Sequence, residues 1–125
     1  MKNNRPVFLN LFKIKFPIMA IVSILHRLSG FILFFAIPLF LWTIATSLIS
    51  ENGFLSIKSA LTDNIPIKIG VFLILSALIY HLIAGIRHLF MDWGWFESLR
   101  AARVTSILVI VSSILFAILL GKVLW

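Results

Sequence analysis

From Leu28 to Ser50 the chain carries no charged residue. A helix rises about 1.5 Å per residue, so about 20 predominantly apolar residues cross the hydrocarbon of a bilayer. The chain has 125 residues, of which 62% are apolar, and its mean hydropathy is +1.14. A core of that size cannot hide so much apolar surface, and the solvent that suits it is a membrane.

Including the apolar residues around "SILHRLSG" at 23–30, the first helix is expected over roughly 18–48. Pro17 suits its first turn, where a missing N–H costs little, and Pro38 predicts a kink or a gap in the hydrogen-bond ladder. "SENGF" at 50–54 breaks this helix. Asn64 and Pro66 form a cap and first-turn pair for a second helix over roughly 66–90. A third is expected over roughly 104–123, after the polar and aromatic connector "MDWGWFESLRAAR". The expected fold class is an all-α membrane protein: a single domain over 1–125 with three transmembrane helices. Lys2, Arg5, Lys13 and Lys15 before an apolar run loosely resemble a signal peptide. The run is too long and lacks a small-x-small cleavage site, so the first helix is expected to be retained.

The net charge is +7. The basic residues lie between long uncharged runs and form no basic face, so no nucleic-acid partner is expected. They set orientation instead. Lys2, Arg5, Lys13, Lys15, Arg87, Arg100 and Arg103 flank one side of the spans, against Lys58, Lys68 and Lys122 on the other. The positive-inside rule places the N-terminus and second connector in the cytoplasm and the C-terminus across the membrane. Trp93 and Trp95 mark one interface, and Trp42 and Trp125 the other. There is no cysteine. Disulfides, thiolate-held clusters, covalent c-type haem and cysteine nucleophiles are thereby excluded.

The polar residues inside the spans carry the chemistry. His26 lies about 13 Å along the helix from Pro17, and His81 about 16 Å from Asp92, which puts both in the cytoplasmic half at similar depth. Ser23, His26 and Arg27 fall within about a third of the helix circumference, and Gly30 shares that side. Intramembrane ionisable groups normally face a bundle interior and mark function. In "YHLIAGIRH", at 80–88, His81 and His88 are seven apart with Gly85 between them. Neutral imidazole ligates haem iron, and Gly85 leaves room for a flat macrocycle, which makes His81 the candidate ligand. Spacing alone also allows His81 to be a helix–helix hydrogen-bond partner. His88 reads as an interfacial, hydrogen-bonded residue, Arg87 as a snorkelling cation, and Asp92 as a helix end. Snorkelling is open to Arg27 too.

These residues resemble a known family: the cytochrome b membrane-anchor subunit of succinate dehydrogenase (respiratory complex II), proteobacterial type. The matching pieces are "RPVFLNL" at 5–11, "FPIMAIVSILHRLSG" at 16–30 and "YHLIAGIRHLFMD" at 80–92. Many relatives carry Ser-Pro-His after the N-terminal Arg-Pro, where this chain has "VFLN". The resemblance implies a non-catalytic subunit of a succinate:quinone oxidoreductase in the bacterial inner membrane. It implies part of a heteromeric helical bundle, with one haem b shared with a second small anchor subunit. A flavoprotein and an iron–sulfur subunit dock on the cytoplasmic face, and ubiquinone is the substrate. His81 matches the axial ligand of the haem iron, with the opposite ligand from the sister subunit. His26 and Arg27 match positions near the haem propionates, and Ser23 and Arg27 match the quinone site. A fixed cation and a hydroxyl stabilise charge developing on a quinone oxygen, and propionates are suitable partners for an intramembrane cation. The alternatives are the anchor of a quinol–fumarate reductase, a non-redox structural helical subunit, and a self-contained cytochrome ligated by His26 and His81.

Overall fold

The computed structural model describes residues 14–125. Lys2, Arg5, Lys13 and the segment at 5–11 lie outside the described residues. Four helices follow one another among the described residues: α1 (Ile18–Ile49), α2 (Glu51–Asp63), α3 (Ile65–Asp92) and α4 (Leu99–Leu124). Three of these, α1, α3 and α4, are long and apolar enough to cross a membrane. They match the three expected spans.

Helix α1 runs unbroken through Pro38. The proline removes one donor from the ladder without interrupting the helix. The hydroxyls of Thr43 and Ser47 donate to the carbonyls of Leu39 and Ile44, so these polar side chains are satisfied within the helix. Such internal pairing is what hydrocarbon surroundings demand.

Helix α2 departs from the expected simple connector. Ser50 caps it by accepting from the Gly53 N–H at 3.0 Å, and Glu51 in the first turn suits the positive end of the helix dipole. At helical spacing Gly53, Ile57 and Ala60 share a face and are partly buried, whereas Phe54 and Leu61 are exposed beside it. Helix α2 packs against α1 and α3. A Cβ at Gly53 would collide with the Thr46 carbonyl of α1, so only glycine fits this corner. At the other end the Asp63 carboxylate accepts from the Ser59 and Thr62 hydroxyls, at 2.9 Å each. These bonds hold its pKa below the usual carboxylate range, Ser59 contributing most.

Asn64 caps α3, accepting from the Ile67 N–H at 3.2 Å, with Pro66 in the first turn as expected. The α3–α4 turn is tight. Gly94 has φ 80° and Phe96 φ 63°, both left-handed, and the Trp95 N–H returns to the Phe90 carbonyl at 3.0 Å. The rings of Phe90 and Trp95 stack 5.4 Å apart. Ser98 then caps α4 by accepting from Ala101 N–H at 3.2 Å. Helix α4 therefore starts earlier than the expected residue 104, and Arg100 and Arg103 belong to its first turns.

The core is small. Val22 of α1, Ala84 of α3 and Val109 of α4 are buried together, with Tyr80, Ile83 and Ile110 against them. The Tyr80 hydroxyl donates to the Val22 carbonyl at 2.8 Å, pinning α3 to α1. Most large apolar side chains point outward, among them Phe34, Phe40, Trp42 and Leu48.

Candidate functional site

The α1–α3 crossing brings the histidines together. The rings of His26 and His81 stack with centroids 4.1 Å apart and planes 14° apart. His88 lies beyond His26, at 5.0 Å and tilted 43°. Helical spacing explains the grouping: His81, Gly85 and His88 share a stripe of α3, while His26 and Gly30 share a stripe of α1 next to buried Val22 and Ser29.

Two glycines make the close approach possible, each opposite the other helix's histidine. A Cβ at Gly30 would stand 3.0 Å from His81 Cε1, and one at Gly85 would stand 3.4 Å from His26 Nε2. A side chain at Gly30 would force the His81 ring to shift. The small residues thus define a slot for two imidazoles.

Polar contacts within the slot are specific. His81 Nδ1 lies 3.0 Å from Ser29 Oγ and 3.1 Å from the His26 carbonyl oxygen. The Ser29 hydroxyl donates to the same carbonyl at 2.8 Å. His81 Nε2 makes no hydrogen bond among the described residues. His26 Nε2 is buried and has no hydrogen-bond partner there. An orphaned buried ring nitrogen is costly, and a polar ligand group or water is its natural complement.

These donors suit a haem. One imidazole nitrogen of His81 is engaged by oxygen acceptors and the other is uncommitted, which is the usual arrangement of a metal-binding histidine. Among the described residues no three His, Asp or Glu side chains converge as ligands for a bare metal ion. The face-stacked rings of His26 and His81 also differ from an axial pair. Rings in contact leave no room for a macrocycle between them, so this pair would not hold a haem as a self-contained bis-histidine cytochrome.

Ser23 is half-buried and Arg27 is exposed, and neither makes a side-chain hydrogen bond among the described residues. At helical spacing they lie one step outside the buried stripe of α1, beside His26 and Gly30. The predicted residues therefore form an inner group, His26 and His81, and an outer pair, Ser23 and Arg27, on adjoining faces. Asp92 is the last residue of α3 and exposed, as expected for a helix end.

Arg87 corrects the expectation of a snorkelling cation. It is 6% exposed and turns inward, its Nε donating to Thr105 Oγ1 at 3.1 Å and its Nη2 to the Ala102 carbonyl at 3.3 Å. Its stripe on α3 is that of Tyr80 and Ala84, which faces the core. The early start of α4 supplies the carbonyl. Sequence patterning does not single out Ser29, although it lies one turn after His26 on the buried stripe.

The succinate dehydrogenase/fumarate reductase transmembrane subunit family matches residues 1–120 of this chain. The chain belongs to that family. It is similar to the succinate dehydrogenase cytochrome b556 subunit of Coxiella burnetii, with 42% identity covering 100% of each chain. The corresponding subunit of Rickettsia bellii is 42% identical, over 94% of this chain and 91% of the other. That of Paracoccus denitrificans is 34% identical, over 94% and 90%. As a succinate dehydrogenase/fumarate reductase transmembrane subunit, the chain is a multi-pass membrane protein that works in association with other subunits.

Proposed function

We propose that this chain is the haem b-carrying anchor subunit of a succinate dehydrogenase, with His81 binding the iron through Nε2. The observation that carries this reading is the slot between Gly30 and Gly85, in which His81 has one ring nitrogen engaged and the other uncommitted. The cytochrome b556 relatives support it. A sister anchor subunit would supply the other protein ligand, since His26 is stacked beside His81. Haem b, when bound, supplies one-electron storage within the membrane. His26, with its unpartnered Nε2, and Arg27 would hold the propionates.

Ser23 and Arg27 serve ubiquinone. The Ser23 hydroxyl donates to a quinone carbonyl, and the Arg27 guanidinium offsets negative charge as it develops on that oxygen. Arg27 is always charged and presents a planar fork, so it can serve a propionate and a quinone oxygen from one position. Both residues lie on an outward face, which requires other subunits or lipid to complete the site and exclude water. The flavoprotein and iron–sulfur subunits dock on the cytoplasmic side of the inner membrane, the side of Trp93, Trp95, Arg100 and Arg103.

The test is purification in mild detergent, with co-purifying subunits identified and reduced-minus-oxidised spectra recorded. The expected result is a four-subunit complex with a b-type spectrum. His81→Ala should remove one axial bond and abolish the low-spin EPR signal. An unchanged signal would overturn the assignment, and a haem-free wild-type complex would leave only a structural anchor.

A further inference from the structure

The hydrogen-bond network around His81 contains more information than its proximity to His26. Ser29 is 5% exposed and its hydroxyl has a single proton. Its oxygen lies 2.8 Å from the His26 carbonyl, which can only accept, so the proton has a partner there. With the proton so placed, Ser29 Oγ faces His81 Nδ1, 3.0 Å away, as an acceptor. The His26 carbonyl oxygen, 3.1 Å from the same nitrogen, is an acceptor by nature. Two acceptors facing one ring nitrogen require that nitrogen to carry the hydrogen. A neutral His81 is then protonated on Nδ1 and keeps its lone pair on Nε2.

We propose that Ser29 is a positioning residue for His81, selecting the Nδ1–H tautomer and fixing the ring so that Nε2 is presented as the ligand. This rests on the reading of His81 as haem ligand. Ser29 would act through the imidazole, by its 3.0 Å contact with His81 Nδ1. Its acceptor oxygen also pulls on the Nδ1–H bond, which makes the ring a stronger electron donor at Nε2. A more strongly donating axial ligand favours ferric over ferrous iron. The same peptide group contributes twice, because the His26 carbonyl accepts from both Ser29 and His81. Next to Ser29 stands Gly30, whose missing side chain leaves the ring the space it occupies.

The experiment is redox titration of the haem in the purified complex, with optical and EPR spectra, for the wild type, Ser29→Ala and Ser29→Thr. Ser29→Ala removes one acceptor and leaves the carbonyl. The expected result is a rise in haem midpoint potential equivalent to a roughly tenfold shift in the oxidised-to-reduced ratio, about 59 mV for one electron. Ser29→Thr restores the hydroxyl and should return the potential to the wild-type value. A fully haem-loaded Ser29→Ala complex with unaltered potential and EPR signal overturns the proposal. If Ser29→Ala loses haem, retention of haem at wild-type potential in Ser29→Thr supports the role, and equal loss in both variants overturns it in favour of a simple size constraint. Failure of the underlying reading looks different: His81→Ala would then keep the wild-type low-spin signal whatever stands at position 29.

Discussion

Arg87 holds α3 to α4 by a two-point contact, one bond to a side chain and one to a peptide carbonyl. Lysine keeps the charge but cannot span both acceptors. Arg87→Lys should therefore lower the stability of the detergent-solubilised complex by about 1.5–3 kcal/mol, the range for a hydrogen bond from a charged group. Differential scanning fluorimetry checks this, and an unchanged melting temperature would show that the tie carries no weight. Ser23 and Arg27 lead to a different kind of prediction, because neither has a hydrogen-bond partner among the described residues and Arg27 is exposed. Ser23→Ala should lose a donor worth roughly 1–3 kcal/mol if the acceptor is left unpaired. Arg27→Lys should impair quinone reduction more than assembly. Succinate oxidation is measured on the same membranes with a ubiquinone analogue and with an artificial acceptor that draws electrons upstream. The first rate should fall while the second holds, whereas a parallel fall of both would assign Arg27 to assembly. At this scale the sequence was informative where residue type and depth sufficed. His26 and His81 were placed at one level by counting along two helices. Depth along the helix suggests a snorkelling Arg87, whereas its stripe with Tyr80 and Ala84 points to the core. Ser29 escaped because a serine in an apolar helix usually bonds its own backbone, which it does, and its second contact is across the chain.

Among the elements, α2 was the least legible. It has 13 residues, too few to span, and it follows Ser50, which reads as a break. The signals were present in the Ser50 cap, Glu51 after it, and Phe54, Ile57 and Leu61 at helical spacing. The three spans were legible because each needs a long uncharged run, and the Asn64–Pro66 start of α3 because capping chemistry is local. Arg100 and Arg103 suggest a polar connector before α4, whereas Ser98 already supplies the cap. Gly53 tests the α1–α2 corner. Gly53→Ala puts a methyl group against the Thr46 carbonyl and should detach α2 from α1. Amide hydrogen exchange at residues 54–60 should rise, with α3 protected as before. Unchanged exchange would mean that the corner relaxes around the methyl.

For the molecule as a whole, orientation follows from charge. With Arg87 buried inside α3, six Lys/Arg (Lys2, Arg5, Lys13, Lys15, Arg100 and Arg103) remain on one side of the spans against three on the other, so alkaline phosphatase fused after Trp125 should be active in the periplasm and a fusion at Asn3 silent. The reverse pattern would overturn the topology. The bundle itself is thin, with its buried centre reduced to a few residues and most apolar surface turned outward. Arg27 shares that outer surface, on a spanning helix and without a hydrogen-bond partner among the described residues. A copy synthesised in excess of its companions would present a guanidinium to lipid, the one surrounding in which it has least reason to stay. An exposed cation on a spanning helix is a costly surface for a copy that lacks its companion subunits. Expressed alone, the chain should turn over rapidly in a pulse-chase measurement, and Arg27→Leu should lengthen its lifetime. In the assembled complex the same substitution should leave the lifetime unchanged, because the subunit is then already accounted for.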